Sequence, residues 1–312
     1  MVCARDTPPG GAAVSKGLSG PIALVPRGLR RNPLFRKMGA PVYRAYTRTV
    51  VFLPGPPIHV NSVPKAGTHL LTSLLDRFPK VMYSGEHRSL NQFKPGGRTS
   101  SAEADWTQVR RWLRSQRKGQ YCTAHFPAAE PVFTALEEFD FASLFVVRDP
   151  RDIVVSHAHY VARFERHHLH EYYARMLPED RLMASIVGIP GSAGRPLLTS
   201  SIGSVLASFA GWLHNPGTLV LKFEDLVGAA GGGDALSQRR AIDDIARHIS
   251  RPLDDAQRRR VVAGVHAKDS ATLRRGVIGD WKNHFTDEHR AAFAEVAGPQ
   301  LVEWGYGADP AG

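Results

Sequence analysis

The chain predicts an α/β fold, a three-layer sandwich in which a central, mostly parallel sheet is flanked by helices. Three observations point there. From Pro57 onward, short apolar runs alternate with segments of helical periodicity, the order a parallel sheet with helical crossovers requires. At least two strand-like runs pass through a tight junction, marked by Gly or Pro, directly into a helix. Hydrophobic residues make up 43% of 312 residues, enough for a sizeable buried core. No apolar run approaches the ~18 residues that cross a bilayer.

In chain order the strand candidates are Ile58–Ser62, Val81–Ser84, Gln120–His125, Leu144–Arg148 and Thr218–Phe223. The helix candidates are Thr68–Arg77, Ala102–Arg117, Pro131–Glu138, Arg151–Phe164, Ser201–Leu213, Ala235–Ile249, Asp254–Val265 and Asp287–Ala297. Pro150 suits a helix start, where its missing N–H costs nothing, and Asp234 suits an N-cap. Gly228–Gly233 reads as a flexible spacer. His167–Ser200 carries several Pro and Gly without a clear register, so it reads as a long loop of the kind that forms a substrate lid.

Residues 1–55 read as a separate basic arm, rich in Gly, Pro and Arg, with one helix and a strand-like lead-in over Arg36–Val51; residues 56–312 read as one domain. The net charge is +11, and residues 1–48 hold +8 of it, nine Lys/Arg against the single acid Asp6. A basic excess confined to an arm argues against a specific nucleic-acid binder. It suits a solvated tail, or contact with an anionic membrane face or an acidic polymer. Met1–Gly20 shows no apolar stretch of secretory type, and two cysteines, Cys3 and Cys122, make no disulfide framework. The expected location is the cytoplasm, with the arm as a peripheral membrane contact.

Val60-Asn61-Ser62-Val63-Pro64-Lys65-Ala66-Gly67-Thr68-His69 reads as a strand, a tight loop and the first turn of a helix. Amides at a helix N-terminus point at an anion, and a lysine adds full positive charge, so this is a P-loop-like phosphate cradle. It departs from the nucleoside-triphosphatase pattern, in which lysine follows the second glycine; here Lys65 precedes Gly67.

Two further segments suit anions. Ser143–Val147 runs into Arg148-Asp149-Pro150-Arg151-Asp152, and Ser156 follows Arg148 by eight residues, about two helical turns into the next helix. Alone, this charged run would read as surface salt bridging. Near the C-terminus, Arg274-Arg275-Gly276-Val277-Ile278-Gly279-Asp280-Trp281-Lys282-Asn283 sets two arginine forks beside glycines that permit close backbone approach. Alone, it would read as a basic turn with Trp281 as a core anchor.

Together and in this order, the three segments resemble the cytosolic-type sulfotransferase family, in the manner of a bacterial member. Pro64-Lys65-Ala66-Gly67-Thr68 is similar to its P-K-[SA]-G-T loop, Arg148 to Ser156 to its R-[DN]-x-[RK]-D-x-x-V-S motif, and Arg274 to Asn283 to its R-K-G-x-x-G-D-W-K-N motif with one Lys→Arg change. The resemblance spans roughly residues 57–305. It implies 3′-phosphoadenosine 5′-phosphosulfate (PAPS) as co-substrate and no metal. It implies that Lys65, Ala66, Gly67, Thr68 and His69 hold the 5′-phosphosulfate, with Lys65 also catalytic. Arg148, Ser156, Arg274, Arg275 and Gly276 would hold the 3′-phosphate. Thr123-Ala124-His125-Phe126-Pro127 resembles the family's K-x-H-[LF]-P, which makes His125 the base, and Lys222-Phe223-Glu224-Asp225-Leu226 sets Phe223 against the adenine.

Two departures stand out. Leu70 replaces the tryptophan that often stacks on adenine, and Thr123 replaces the lysine two residues before the histidine. Both point away from the animal phenol and steroid enzymes. The expected reaction moves a sulfuryl group to an acceptor hydroxyl on a glycan, glycolipid or secondary metabolite. Gly85–Ser101 and Arg163–Ser200 would shape the acceptor pocket, with Tyr83, His87, Phe126 and Tyr160 lining it. His157-Ala158-His159 and His167-His168-Leu169-His170 lack a matching carboxylate or thiolate set and read as structural. Two other classes stay open at this point: a P-loop kinase or ATPase using the same cradle, and a non-enzymatic binder acting through the arm.

Overall fold

The computed structural model describes Ala45 and residues 53–95, 103–191, 199–263 and 277–307. Five strands form one sheet: β1 (Ile58–Ser62), β2 (Met82–Ser89), β3 (Gln120–His125), β4 (Ala142–Val147) and β5 (Thr218–Lys222). Their spatial order is β2-β3-β1-β4-β5 and every neighbouring pair is parallel. The sheet among the described residues is thus wholly rather than mostly parallel. Every residue of β1 and β4 is buried, as expected of strands covered on both faces.

Helices supply the covers. On one face lie α1 (Thr68–Leu75), α9 (Phe223–Val227), α10 (Ala235–His248) and α11 (Asp255–Ala263). Leu70, Leu71, Leu74 and Leu75 of α1 pack with Ile242 and Ile245 of α10 over Val60, Leu144 and Val146. Each such leucine contributes roughly 1.5–3 kcal/mol by leaving water. The other face carries α2 (Trp106–Arg114), α3 (Glu130–Glu138), α4 (Pro150–Arg163), α5 (His170–Arg175), α6 (Pro178–Val187), α7 (Ile202–Phe209), α8 (Gly211–His214) and α12 (Asp287–Glu303). Its core gathers Phe126, Phe145, Trp212, Trp281, Phe293 and Trp304.

Several expectations are corrected. His167–Ser200 is not one long loop: it holds α5 and α6, with Ile189 bridging Thr199. Pro178 and Gly188, which look like breakers, are the first residue and the C-cap of α6. Gly228–Gly233 is not a free spacer, because Gly231 and Gly233 both donate to the Gly228 carbonyl and a Cβ on Gly233 would lie 2.5 Å from Glu224 O. The helix expected over Ser201–Leu213 breaks after Phe209, where Ala128 N–H takes the Ser208 carbonyl at 2.7 Å. β2 runs on to Ser89 through a bulge between Tyr83 and His87. α12 continues past Pro299 to Glu303, with Leu301 and Trp304 buried in the core. Asp234 caps α10 by accepting from Ser237 N–H at 2.7 Å. The basic arm falls outside the described residues apart from Ala45 and 53–55. No helix among the described residues is long and apolar enough to cross a membrane.

Candidate active site

The carboxyl ends of the strands converge on one cavity of about 1000 Å³, the usual ligand position in an open α/β sheet. Its floor is the junction from β1 to α1. Lys65 turns through φ 76° and Gly67 through φ 126°, and Ala66 N–H closes the turn on Val63 O at 3.0 Å. At Gly67 a Cβ would lie 2.8 Å from the Phe223 ring. Gly67 is the N-cap of α1 and brings no capping side chain. The first-turn amides of Thr68 and His69 therefore have no protein partner among the described residues, and both residues line the cavity. Ala66 differs: its N–H is spent inside the loop and its side chain is fully buried. The Lys65 ammonium lies 3.9 Å from the centroid of the Tyr160 ring on α4. Burial, and then the Arg148 guanidinium, bring its pKa down to about 8.

β1 also positions the base candidate. The Asn61 side chain clamps the Phe126 peptide from both sides, donating to Phe126 O and accepting from Phe126 N–H, each at 2.9 Å. Trp212 Nε1 donates to the same carbonyl at 2.8 Å. His125, one residue earlier, sets Nδ1 2.8 Å from Ser62 O. A carbonyl only accepts, so Nδ1 carries the proton and the lone pair sits on Nε2. Burial, followed by the neighbouring His87, pushes the His125 pKa down to about 4, so the ring is neutral at ordinary pH. The His87 ring meets it edge-on at 5.0 Å, and His87 Nδ1 lies 2.9 Å from Thr123 Oγ1. The lysine that the resemblance would place at 123 is thus replaced by a hydroxyl paired with an imidazole.

On the far side, Arg148 follows β4 and stacks its guanidinium 4.3 Å from the Phe223 ring centroid. It donates to Val277 O at 3.2 Å and pairs with Asp152 at 3.5 Å. Its Nε is buried without a protein partner among the described residues. Asp152 does more than pair: it accepts from Gly279 N–H at 2.9 Å and Trp281 N–H at 3.0 Å. It thereby ties the C-terminal segment to the first turn of α4. Arg151 forks onto Asp149 and lies 4.1 Å from the Trp281 ring centroid. Glu224 accepts from Asp149 N–H at 3.0 Å and from Tyr306 OH at 2.7 Å. The charged run is therefore a buried scaffold, not surface salt bridging. The sequence signals Asp152 as a positioning group only by its place four residues after Arg148, in the first turn of the following helix.

The cavity is lined by Lys65, Gly67, Thr68, His69, His125, Arg148, Ser156 and Phe223. Arg274, Arg275 and Gly276 lie outside the described residues, while Val277 lines the cavity. Leu70 lines it too, with its side chain in the leucine core. Tyr83, His87 and Tyr160 line the cavity as expected, but Phe126 does not. It is fully buried between Phe93 and Trp112, because the alternation along β3 turns it to the opposite face from His125. Pro127 lines the cavity instead. His157 bonds Ser185 Oγ at 3.0 Å and His170 bonds Val161 O at 3.1 Å, which are structural uses. Among the described residues no group of His, Cys, Asp and Glu is placed to hold a metal ion.

No protein-family model matches the chain, and no curated protein sequence matches it. Among solved structures, mouse sulfotransferase SULT7A1 complexed with PAP is similar, with 16% identity, a TM-score of 0.52 and coverage of 82% of this chain and 88% of that chain. Retinol dehydratase in complex with androsterone and inactive cofactor PAP aligns with 15% identity, a TM-score of 0.46 and coverage of 84% of this chain and 85% of that chain. The five-stranded parallel sheet with its helical layers is the fold of a sulfotransferase.

Proposed function

We propose that this protein is a sulfotransferase that moves a sulfuryl group from PAPS to an acceptor hydroxyl. The observation that supports it best is the meeting, in one cavity, of an uncapped helix turn with Lys65, a buried Arg148 and a neutral, oriented His125. The residues fit such a donor. Uncapped amides and Lys65 suit the 5′-phosphosulfate, the side-chain-free Gly67 allows close approach, and Arg148 Nε, buried without a protein partner among the described residues, sits in a site suited to a second phosphate. Bound PAPS supplies an activated sulfuryl group and a phosphate leaving group.

His125 Nε2 takes the proton of the acceptor hydroxyl as its oxygen attacks sulfur, while the Ser62 carbonyl holds the ring and shares the developing imidazolium charge. Lys65 and the Thr68 and His69 amides offset negative charge gathering on the departing oxygens. Arg148 and Ser156 hold the 3′-phosphate, and Arg274, Arg275 and Gly276 join them in this reading. Ala66 contributes loop shape rather than a donor. The acceptor belongs to the glycans, glycolipids or hydroxylated secondary metabolites. The enzyme works in the cytoplasm, where the arm of residues 1–48 contacts an anionic membrane face.

Calorimetric titration tests the donor site. Adenosine 3′,5′-bisphosphate should bind far more tightly than ATP, and equal or inverted affinities would favour a kinase or ATPase instead. Removing residues 1–48 should abolish sedimentation with anionic vesicles and leave sulfuryl transfer intact; loss of transfer would place the arm in the site.

A further inference from the structure

The cavity has a polar wing that the donor chemistry does not use. Along β3, alternation sets Tyr121, Thr123 and His125 on one face. Across from them α1 presents Thr72 and Asp76, four residues apart on one helix face. Edge strand β2 adds Tyr83 and His87, in register with Tyr121 and Thr123. All of these line the same cavity as His125.

Their polar atoms are organised in pairs. Tyr121 OH donates to Asp76 Oδ1 at 2.5 Å, which leaves Asp76 Oδ2 without a protein hydrogen bond among the described residues. Thr123 Oγ1 meets His87 Nδ1 at 2.9 Å. The Tyr83 and Tyr121 rings lie 5.1 Å apart, and His87 packs its ring against His125. From Tyr121 to His125 the strand advances by roughly 13 Å, longer than a single six-membered ring.

We infer that the acceptor is polyhydroxylated, with the chemistry of an oligosaccharide, and lies along β3 between α1 and β2. One hydroxyl sits at His125 Nε2, and a distant hydroxyl donates to Asp76. The inference rests on the sulfotransferase reading and gives it a substrate class. An acceptor with one hydroxyl on an apolar body would strip water from Asp76 Oδ2 and return no hydrogen bond to it. A site built to hydrogen-bond hydroxyls rejects analogues that lack them.

The test uses the full chain, PAPS, and four acceptors: cellobiose, lactose, cyclohexanol and 4-nitrophenol, with titration of adenosine 3′,5′-bisphosphate alongside. The disaccharides should be sulfated with higher kcat/KM than the single-hydroxyl compounds. Asp76→Ala should raise the disaccharide KM by about 10- to 100-fold, the range for a lost bond to a charged group, while the bisphosphate affinity stays unchanged. Asp76→Asn, which keeps the shape and one acceptor oxygen, should fall between the two. Preferred turnover of cyclohexanol or 4-nitrophenol, or a disaccharide KM unmoved in Asp76→Ala, overturns the polyhydroxyl acceptor and leaves the sulfotransferase standing. Absence of both bisphosphate binding and transfer overturns both.

Discussion

Replacing Asp152 with alanine should separate the donor site from its C-terminal wall. The Asp152 carboxylate is fully buried, accepts two backbone N–H groups and pairs with Arg148, whose side chain is 11% exposed. Each buried donor left without a partner costs about 1–3 kcal/mol, and breaking a buried ion pair by removing one member costs about 3–5 kcal/mol. The losses share one site and do not add, so the expected destabilisation is about 4 kcal/mol. Asp152→Asn keeps one acceptor and should lose roughly half as much. Arg148, freed from Asp152, should also lose its fixed aim into the cavity. Affinity for adenosine 3′,5′-bisphosphate should then fall at least tenfold, a change of about 1.4 kcal/mol. Urea unfolding followed by circular dichroism gives the first number and calorimetric titration the second. A loss under about 1 kcal/mol with unchanged nucleotide affinity would refute Asp152 as the tie between α4 and residues 279–281.

Other outcomes follow from the same geometry. His125→Ala should lower turnover by ~10²–10⁴-fold, the usual cost of removing a general base, with bisphosphate binding kept; normal turnover would remove His125 from the chemistry. Because Lys65 loses its charge near pH 8, kcat/KM should fall on the alkaline side with an apparent pKa near that value, and a flat profile to pH 9.5 would contradict it. Gly67→Ala puts a Cβ 2.8 Å from the Phe223 ring at φ 126°, so donor affinity should drop sharply; a normal dissociation constant would show that the cradle tolerates a side chain there. Stability should fall in acid. Burial lowers the pKa of His59 to about 3 and of His125 and His157 to about 4. Below about pH 6.5 the unfolded chain therefore takes up protons that the folded chain refuses. Stability is full above that pH and is lost progressively down to about pH 4 for His125 and His157 and about pH 3 for His59, with a slope reaching about 4 kcal/mol per pH unit for these three groups. An equal urea midpoint at pH 7.5 and pH 5.5 would refute the sign.

Much of the candidate site is legible in the sequence. Lys65, Gly67, His125 and Arg148 stand at strand ends, and chain order alone delivers strand ends in a parallel sheet to a common edge. The misreadings cluster where a local signal has two meanings. Pro178 and Gly188 look the same in a loop as at the two ends of a short helix, and only the packing of Leu182 and Ile186 decides for the helix. Phe126 sits beside His125 in the chain, yet a period of two sends it into the core.

The sequence by itself determined the alternation of strands and helices, the helix start at Pro150, the cap at Asp234 and the chemical types gathered at the anion loops. These depend on local backbone chemistry and on the periodicity of burial, which operate over a few residues. Only the tertiary structure decided which groups meet. Residues 129 positions apart are joined when Asp152 takes the Trp281 amide, and Ser62 selects the proton-bearing nitrogen of a histidine 63 positions away. The Asp76–Tyr121 pair, separated by 45 positions, likewise exists only because the C-terminal end of α1 is folded against β3. Hydrogen bonds and burial act through space at a few ångströms, so the charge on Lys65, the tautomer of His125 and the polar wing beside it follow from packing rather than from spacing along the chain.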